Sequence, residues 1–205
     1  EIPYEQLLAE IADTPDFGDT LDNAVRQNRM PLSYYSHEVV RAARAAGEAK
    51  PPVPVGLFID GVAFLKEASF IALWAYCLTT GVRHVIAILR NDLLCTCGCR
   101  GWCSMYRIFA FAKWAFNAAA EATYPGARHD GAAWPDGDPR GDVAGSRMQH
   151  RFAVVWLKSD WGEIGHTLGF TTWSSKLWPC YRCNVEKGEL HLSLIHISEP
   201  TRREG

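Results

Sequence analysis

The chain has 205 residues, of which 48% are hydrophobic, and its formal net charge is −2. This length suits one domain with an appendage or two very small domains, and the apolar content excludes a globally disordered chain. The near-neutral net charge excludes a strongly basic protein that binds nucleic acid over its whole surface. Any contact with DNA therefore has to be made by a local basic patch. The longest apolar run, 70–78, is too short to cross a bilayer, and no secretory signal is visible. We therefore expect a nuclear or cytoplasmic protein that is neither secreted nor bound to a membrane.

Residues 1–50 are predicted to form a helical and mostly peripheral segment. Apolar side chains recur at helical spacing at Tyr4, Leu7, Leu8 and Ile11. The proline-rich stretch 50–54 then predicts a stiff linker. The main domain is expected to cover residues 51–190.

The first strand is predicted in VGLFIDG, residues 55–61. Val55–Ile59 is apolar with β-branched and aromatic side chains, as is typical of a central strand. Asp60 is expected at or near the end of this strand, followed by Gly61, which permits a turn or the close approach of a ligand. The alternative is that Asp60-Gly61 is only a turn.

Two further apolar runs follow, at 70–78 and 84–89, separated by Thr79-Thr80-Gly81. They predict an antiparallel hairpin. Periodicity alone leaves a helix open for the run 70–78.

A helix of about twenty residues is predicted to start near Ser104 and to end at 124–126. Lys113, Asn117 and Glu121 form its polar stripe. Residues 126–147, rich in Gly, Asp and Pro, predict a long surface loop, either an insertion or a functional flap.

Six of the seven cysteines fall into two groups: Cys95, Cys97, Cys99 and Cys103, then Cys180 and Cys183. Cys180 and Cys183 have the spacing of a zinc knuckle, whereas the first group is spaced more tightly than is usual for zinc ligands. Because Cys-x-Cys steps place neighbours on opposite sides of an extended chain, the first four are not expected to bind one ion. We expect a structural Zn²⁺ held by Cys180, Cys183 and two of the first four, the alternative being free thiols.

The stretch 152–183 reads FAVVWLKSDWGEIGHTLGFTTWSSKLWPCYRC. It predicts a strand at 152–157 that places Asp160 beyond its end, then a short helix at 162–168 and a Trp-rich loop. The element order is that of an α/β, ribonuclease H-like mixed sheet with flanking helices and a Cys-rich insertion. In that fold the first and fourth strands lie side by side.

This stretch resembles the block around the second catalytic aspartate of CACTA-type and related DDE transposases. LFIDG at 57–61 is similar to their first catalytic motif. With CGCRGWC before the helix, residues 55–183 also resemble transposon-derived proteins of dinoflagellate-type genomes. The resemblance implies that Asp60 and Asp160 bind two Mg²⁺ ions about 3.5–4 Å apart for phosphodiester hydrolysis and strand transfer. It also implies DNA, as transposon ends, for a partner and a homo-oligomer assembled on it.

The resemblance places a third acidic residue well beyond the second one. Glu163, one turn after Asp160, is a candidate to assist and not the expected third member. Residues 192–202, LSLIHISEPTR, resemble a translated sequencing adapter, so the stretch 191–205 is expected to be artefactual. The truncated chain is therefore expected to be an inactive fragment of its parent enzyme.

Two other functions stay open at this point. The first is a non-catalytic, zinc-stabilised module, derived from a transposon, that binds nucleic acid or protein. The second is a ribonuclease H-like nuclease acting on RNA or hybrids, which uses the same pair of carboxylates.

Overall fold

The computed structural model describes residues 1–65, 68–99, 101–159 and the single residue Gly165. The chain divides into two compact units, Glu1–Lys158 and Ser159–Gly205. The first unit contains, in chain order, α1 (Pro3–Asp13), α2 (Phe17–Arg26), α3 (Leu32–Ser36), α4 (Glu38–Ala45), β1 (Val53–Leu65), β2 (Ala68–Cys77), β3 (Arg83–Arg90), a 3-10 turn (Asn91–Leu93), α5 (Trp102–Glu121), α6 (Pro139–Val143) and β4 (Phe152–Lys158).

The strands form one mixed sheet in the order β3-β2-β1-β4. β2 pairs antiparallel with both β1 and β3, whereas β4 pairs parallel with β1. The predicted hairpin of β2 and β3 is confirmed, and Gly81 takes a φ of 78° in the turn between them. The ladder along β2 excludes the helical alternative for residues 70–78. The chain is therefore a mixed α/β protein.

β1 is longer than the sequence predicts. Asp60 pairs with Ala72 and Gly61 with Ile71, and the strand continues to Leu65. The predictions that Asp60 lies at the strand end, or that Asp60-Gly61 is a turn, are therefore wrong, because β2 is long enough to keep β1 paired beyond them. The parallel pairing with β4 does stop earlier, at Phe58 opposite Lys158.

A register shift in β4 decides which side chains share a face of the sheet. Val55 pairs with Val154 but Gly56 pairs with Trp156, which leaves Val155 as the extra residue of a bulge. Partners in a parallel ladder point to the same face, so the shift places Lys158 on the face of Phe58.

The main core lies on one face of the sheet, between the strands and helices α1 and α5. It contains buried side chains from α1, β1, β2, β4 and α5, among them Leu7, Ile11, Val55, Leu73, Met105 and Ala115. The expectation that the N-terminal helices are peripheral is therefore wrong: the apolar stripe of α1 covers the sheet. Glu10 on α1 reinforces this contact, accepting a hydrogen bond from Thr80 and lying 2.6 Å from Nε2 of His84 on β3.

A second, smaller core covers the opposite face of β4. Tyr34 and Val40, from α3 and α4, pack there against Ala153 and Val155. The Tyr34 hydroxyl donates a buried 2.9 Å hydrogen bond to the carbonyl oxygen of Pro52. Burial raises the pKa of Tyr34 to about 12. β4 is thus covered by helices on both of its faces.

Helix α5 follows its predicted pattern. Lys113, Asn117 and Glu121 are all exposed, whereas Ala112, Ala115 and Phe116 are buried. The predicted loop 126–147 contains the short helix α6, and a bridge between Thr123 and Arg147 closes its base. Among the helices described, none combines the length and apolarity needed to cross a bilayer.

Several predicted features lie outside the described residues. They are the Trp-rich loop, the stretch 191–205 and most of the helix predicted at 162–168. Within that helix only Gly165 is described, and it is helical.

Tyr34→Phe tests the second core. The substitution leaves the Pro52 carbonyl without its donor while keeping the ring, so the free energy of unfolding should fall by about 1–2 kcal/mol. Urea unfolding followed by circular dichroism measures this change. The matched control is Tyr106→Phe, since Tyr106 is 58% exposed and should change stability by less than about 0.5 kcal/mol. Equal effects of the two substitutions would contradict the importance of the buried bond.

Candidate metal centre

Cys95, Cys97 and Cys99 lie in the connection between the 3-10 turn and α5, and Cys103 lies in the first turn of α5. At the near end, Asn91 donates a hydrogen bond to Ser69 of β2. At the far end, the first turn of α5 is anchored by Met105, which is buried in the main core. Leu94 fills the space above Gly101, where an added Cβ would lie 3.0 Å from its Cδ1 atom. The loop is therefore fixed at both ends by the folded domain.

Two glycines give this loop its shape. Gly98 and Gly101 have φ angles of 93° and 85°, in a region that side chains with a Cβ rarely adopt. The chain therefore turns instead of continuing as an extended strand, and cysteines that would alternate in direction converge.

The ligand atoms of Cys95, Cys97, Cys99 and Cys103 all lie within 4.8 Å of one another. The expectation that these four side chains are not able to share one ion is therefore wrong, because it assumed an extended chain. Zinc–sulfur bonds of about 2.3 Å in a tetrahedron place the sulfurs about 3.8 Å apart. The Sγ atoms of Cys97 and Cys103 are 3.8 Å apart. The cluster can therefore hold a metal such as zinc.

Hydrogen bonds prepare one thiol of the cluster for ionisation. The backbone N–H of Cys103, in the first turn of α5, donates to Sγ of Cys99 over 3.4 Å. Such an N–H has no partner inside the helix and stabilises a thiolate. This bond, with smaller contributions from the neighbouring thiols, lowers the pKa of Cys99 to about 6. The pKa of Cys103 shifts in the opposite direction. Hydrogen bonds with the neighbouring thiols, of which the bond with Cys99 contributes most, raise it to about 12.

The thiols differ in their access to solvent. Cys97 and Cys103 are exposed, whereas Cys95 and Cys99 are half-buried. Each residue of the half-buried pair makes a further hydrogen bond: the backbone N–H of Cys95 donates to Oγ of Ser104 over 3.0 Å, and Sγ of Cys99 contacts the carbonyl oxygen of Cys95 at 3.9 Å. Cys77, by contrast, is fully buried in the main core.

The predicted carboxylate site is described at Asp60 alone. Asp60 is half-buried in β1, on the face of Phe58, and its carboxylate has no hydrogen bond or ion pair within the described part of the chain. Asp160, Glu163, Cys180 and Cys183 all lie outside the described residues. The catalytic pairing and the zinc ligand set that included Cys180 and Cys183 therefore stay predictions.

No protein-family model matches the chain, and neither the search of curated proteins nor that of solved structures finds a match.

Sequence reasoning identified the four cysteines but missed their convergence. The signal that points to it is the pair of glycines, Gly98 and Gly101, placed between and beside the thiols. Glycines at such spacing favour tight turns, and turns override the alternation of an extended chain.

Alkylation of the metal-free protein tests the hydrogen bond to Cys99. With its pKa near 6, Cys99 should react with iodoacetamide at pH 7 faster than Cys97 or Cys103, because the thiolate is the nucleophile. Peptide mass spectrometry across a pH series measures the rate at each site. Cys77 serves as the unreactive internal control. A rate at Cys99 that rises only above pH 8 would show that the helix N–H does not stabilise its thiolate.

Proposed function

We propose that this chain is a metal-stabilised α/β module in which Cys95, Cys97, Cys99 and Cys103 together hold one structural Zn²⁺ ion. The observation that carries the proposal is the convergence of four thiols within 4.8 Å. Four sulfur ligands leave no open position, which is typical of structural sites and not of catalytic ones. Zinc suits the set because thiolates are soft ligands and the ion accepts tetrahedral geometry.

The role of the ion is to cross-link a loop that the hydrophobic core does not reach. Of the four cysteines none is fully buried, and next to them Leu93 and Trp102 are exposed. Metal binding therefore supplies the local stability that packing does not. The resulting surface beside α5 fits a module that binds a macromolecule, which is the non-catalytic function left open by the sequence.

Cys99→Ser tests the ligand set. The wild-type chain should bind one zinc ion per molecule, and the substitution should weaken binding by about a hundredfold or more, since one of four ligands is lost. Atomic emission gives the stoichiometry, and competition with a coloured chelator gives the affinity. Cys77→Ala, outside the cluster, is the matched control and should keep full affinity.

The double substitution Cys180→Ser, Cys183→Ser distinguishes two ligand sets. One consists of the first four cysteines alone, and the other is the mixed set, expected from the sequence, that includes Cys180 and Cys183. If the first four cysteines suffice, an ion remains in the double variant. Loss of all bound zinc would instead support the mixed set.

The affinity should also depend steeply on pH. Zinc displaces the thiol protons, so acid competes with the metal and the affinity rises with pH. Because Cys97 and Cys103 have raised pKa values, at least two protons have to leave near neutral pH. The apparent affinity should therefore fall by about a hundredfold for each pH unit between 7.5 and 5.5. Chelator competition at several pH values measures this slope, and a flat profile would contradict thiolate ligation.

A second function is favoured by one specific observation, the parallel pairing of β1 with β4. We propose on this basis a ribonuclease H-like core in which Asp60 and Asp160 bind divalent cations for phosphoryl transfer on DNA. The support is the register: Phe58 pairs with Lys158, and each aspartate follows its member of that pair by two positions in the sequence. The strand order β3-β2-β1-β4 fits the same proposal, as does the carboxylate of Asp60, which has no partner among the described residues.

Asp60→Asn tests this second function. Removing the carboxylate charge should weaken Mn²⁺ binding by about tenfold or more, equivalent to about 1.4 kcal/mol. Electron paramagnetic resonance of Mn²⁺ measures the affinity on zinc-loaded protein. Asp142→Asn is the control, since Asp142 is exposed on α6. Equal Mn²⁺ affinities of the wild-type and Asp60→Asn proteins would contradict the proposal of a two-metal site. In a longer copy of the protein, cleavage of duplex DNA or of an RNA–DNA hybrid would distinguish the transposase from the nuclease.

A further inference from the structure

The four thiols of the cluster form two pairs with different surroundings. Cys95 and Cys99 are half-buried, and Sγ of Cys99 contacts the carbonyl oxygen of Cys95. Cys97 and Cys103 are exposed, and their Sγ atoms are in van der Waals contact at 3.8 Å. Hence the two sulfurs that solvent reaches most easily are also neighbours. This arrangement suits the formation of one particular disulfide.

The loop allows these two sulfurs to approach further. Cys97 belongs to the turn around Gly98, and an added Cβ at Gly98 would meet nothing within 4 Å, so the space around this turn is open. Cys103 lies in the first turn of α5, where the side chain points away from the core and is exposed. A disulfide requires the two sulfurs, which are 3.8 Å apart, to close to about 2.05 Å.

We propose that the metal centre is a redox switch, in which hydrogen peroxide oxidises Cys97 and Cys103 to a disulfide and thereby releases the ion. This inference rests on the proposed zinc site and adds its regulation. Oxidation of thiols follows thiolate character and exposure, and zinc ligation keeps thiols deprotonated. The exposed pair therefore reacts before the half-buried pair. Cys77, fully buried, stays reduced.

The chemistry balances with peroxide as the only co-reactant. One exposed thiolate attacks a peroxide oxygen, the O–O bond breaks, and a sulfenic acid and hydroxide form. The second thiolate attacks the sulfenic sulfur, forming the S–S bond and breaking the S–O bond. The two sulfurs together lose two electrons, and the peroxide takes up these electrons and two protons to give two waters. The protons come from solvent, and Zn²⁺ leaves with its charge unchanged.

Release follows from the loss of ligands. A disulfide sulfur carries no charge and is a poor zinc ligand, so the ion keeps only Cys95 and Cys99. Two thiolates do not complete a tetrahedral site. The connection between the 3-10 turn and α5 then loses its metal cross-link, and the disulfide takes its place. A thiol reductant with added zinc reverses the change.

The experiment uses the full chain loaded with zinc and treated with hydrogen peroxide. Released zinc is followed with a coloured chelator, and disulfides are mapped by mass spectrometry without reduction. The expected result is one ion released per chain, in step with a disulfide between Cys97 and Cys103, and rebinding after reduction. Release should be at least about tenfold faster than in untreated protein. The variant Cys180→Ser, Cys183→Ser should behave as the wild type does.

The outcomes separate this inference from the zinc site itself. If the untreated chain holds no zinc in the first four cysteines, the proposed site fails and the switch with it. If zinc is bound but peroxide does not release it, the site stands and the switch is overturned. The switch is also overturned if release accompanies a different disulfide, or irreversible oxidation to sulfinic acid.

Discussion

The parallel pairing of β1 with β4 is the constraint on which the rest of the described fold depends. Val53, Val55 and Phe152 face the main core, whereas Ala153 and Val155 face the second one. Because β1 also pairs with β2, its backbone groups are bonded on both edges, as burial requires. The helices then have fixed places: α1 and α5 cover one face of the sheet, and α3 and α4 cover the other face of β4.

The cysteine cluster depends on this frame but is not part of it. Its loop joins two elements that the core holds in place, the 3-10 turn after β3 and the first turn of α5. Between these anchors the loop has little apolar surface of its own to bury, so its conformation is set by backbone turns and by the thiols. A metal ion stabilises such a loop by direct bonds, whose strength depends on protonation and oxidation. The site is for this reason the part of the fold most open to chemical control.

Local patterns predicted much of this fold. The hairpin of β2 and β3 followed from two apolar runs around a glycine turn, and α5 followed from its polar stripe of Lys113, Asn117 and Glu121. The dipeptide Asp60-Gly61 led to a wrong prediction of a strand end or turn, because this dipeptide is common in turns. The long ladder between β1 and β2 keeps both residues in the strand despite this preference. Likewise, α1 was recognised as a helix, but its burial against the sheet depends on partners distant in the sequence. The convergence of the four thiols depends on the φ angles of Gly98 and Gly101; the two glycines indicate turns in the sequence, but they do not specify these angles.

The sequence by itself determined the mixed α/β class, the hairpin, the long amphipathic helix and the grouping of thiols in one short segment. These features depend on residues a few positions apart, so the periodicity and the turn residues of one short segment are enough to predict them. Only the tertiary structure decided the register in which β4 pairs with β1, that α1 joins the main core, and that the four sulfurs point to a common centre. Such outcomes depend on which distant surfaces bury each other and on backbone angles fixed by that burial. The pattern along a single segment therefore does not specify them.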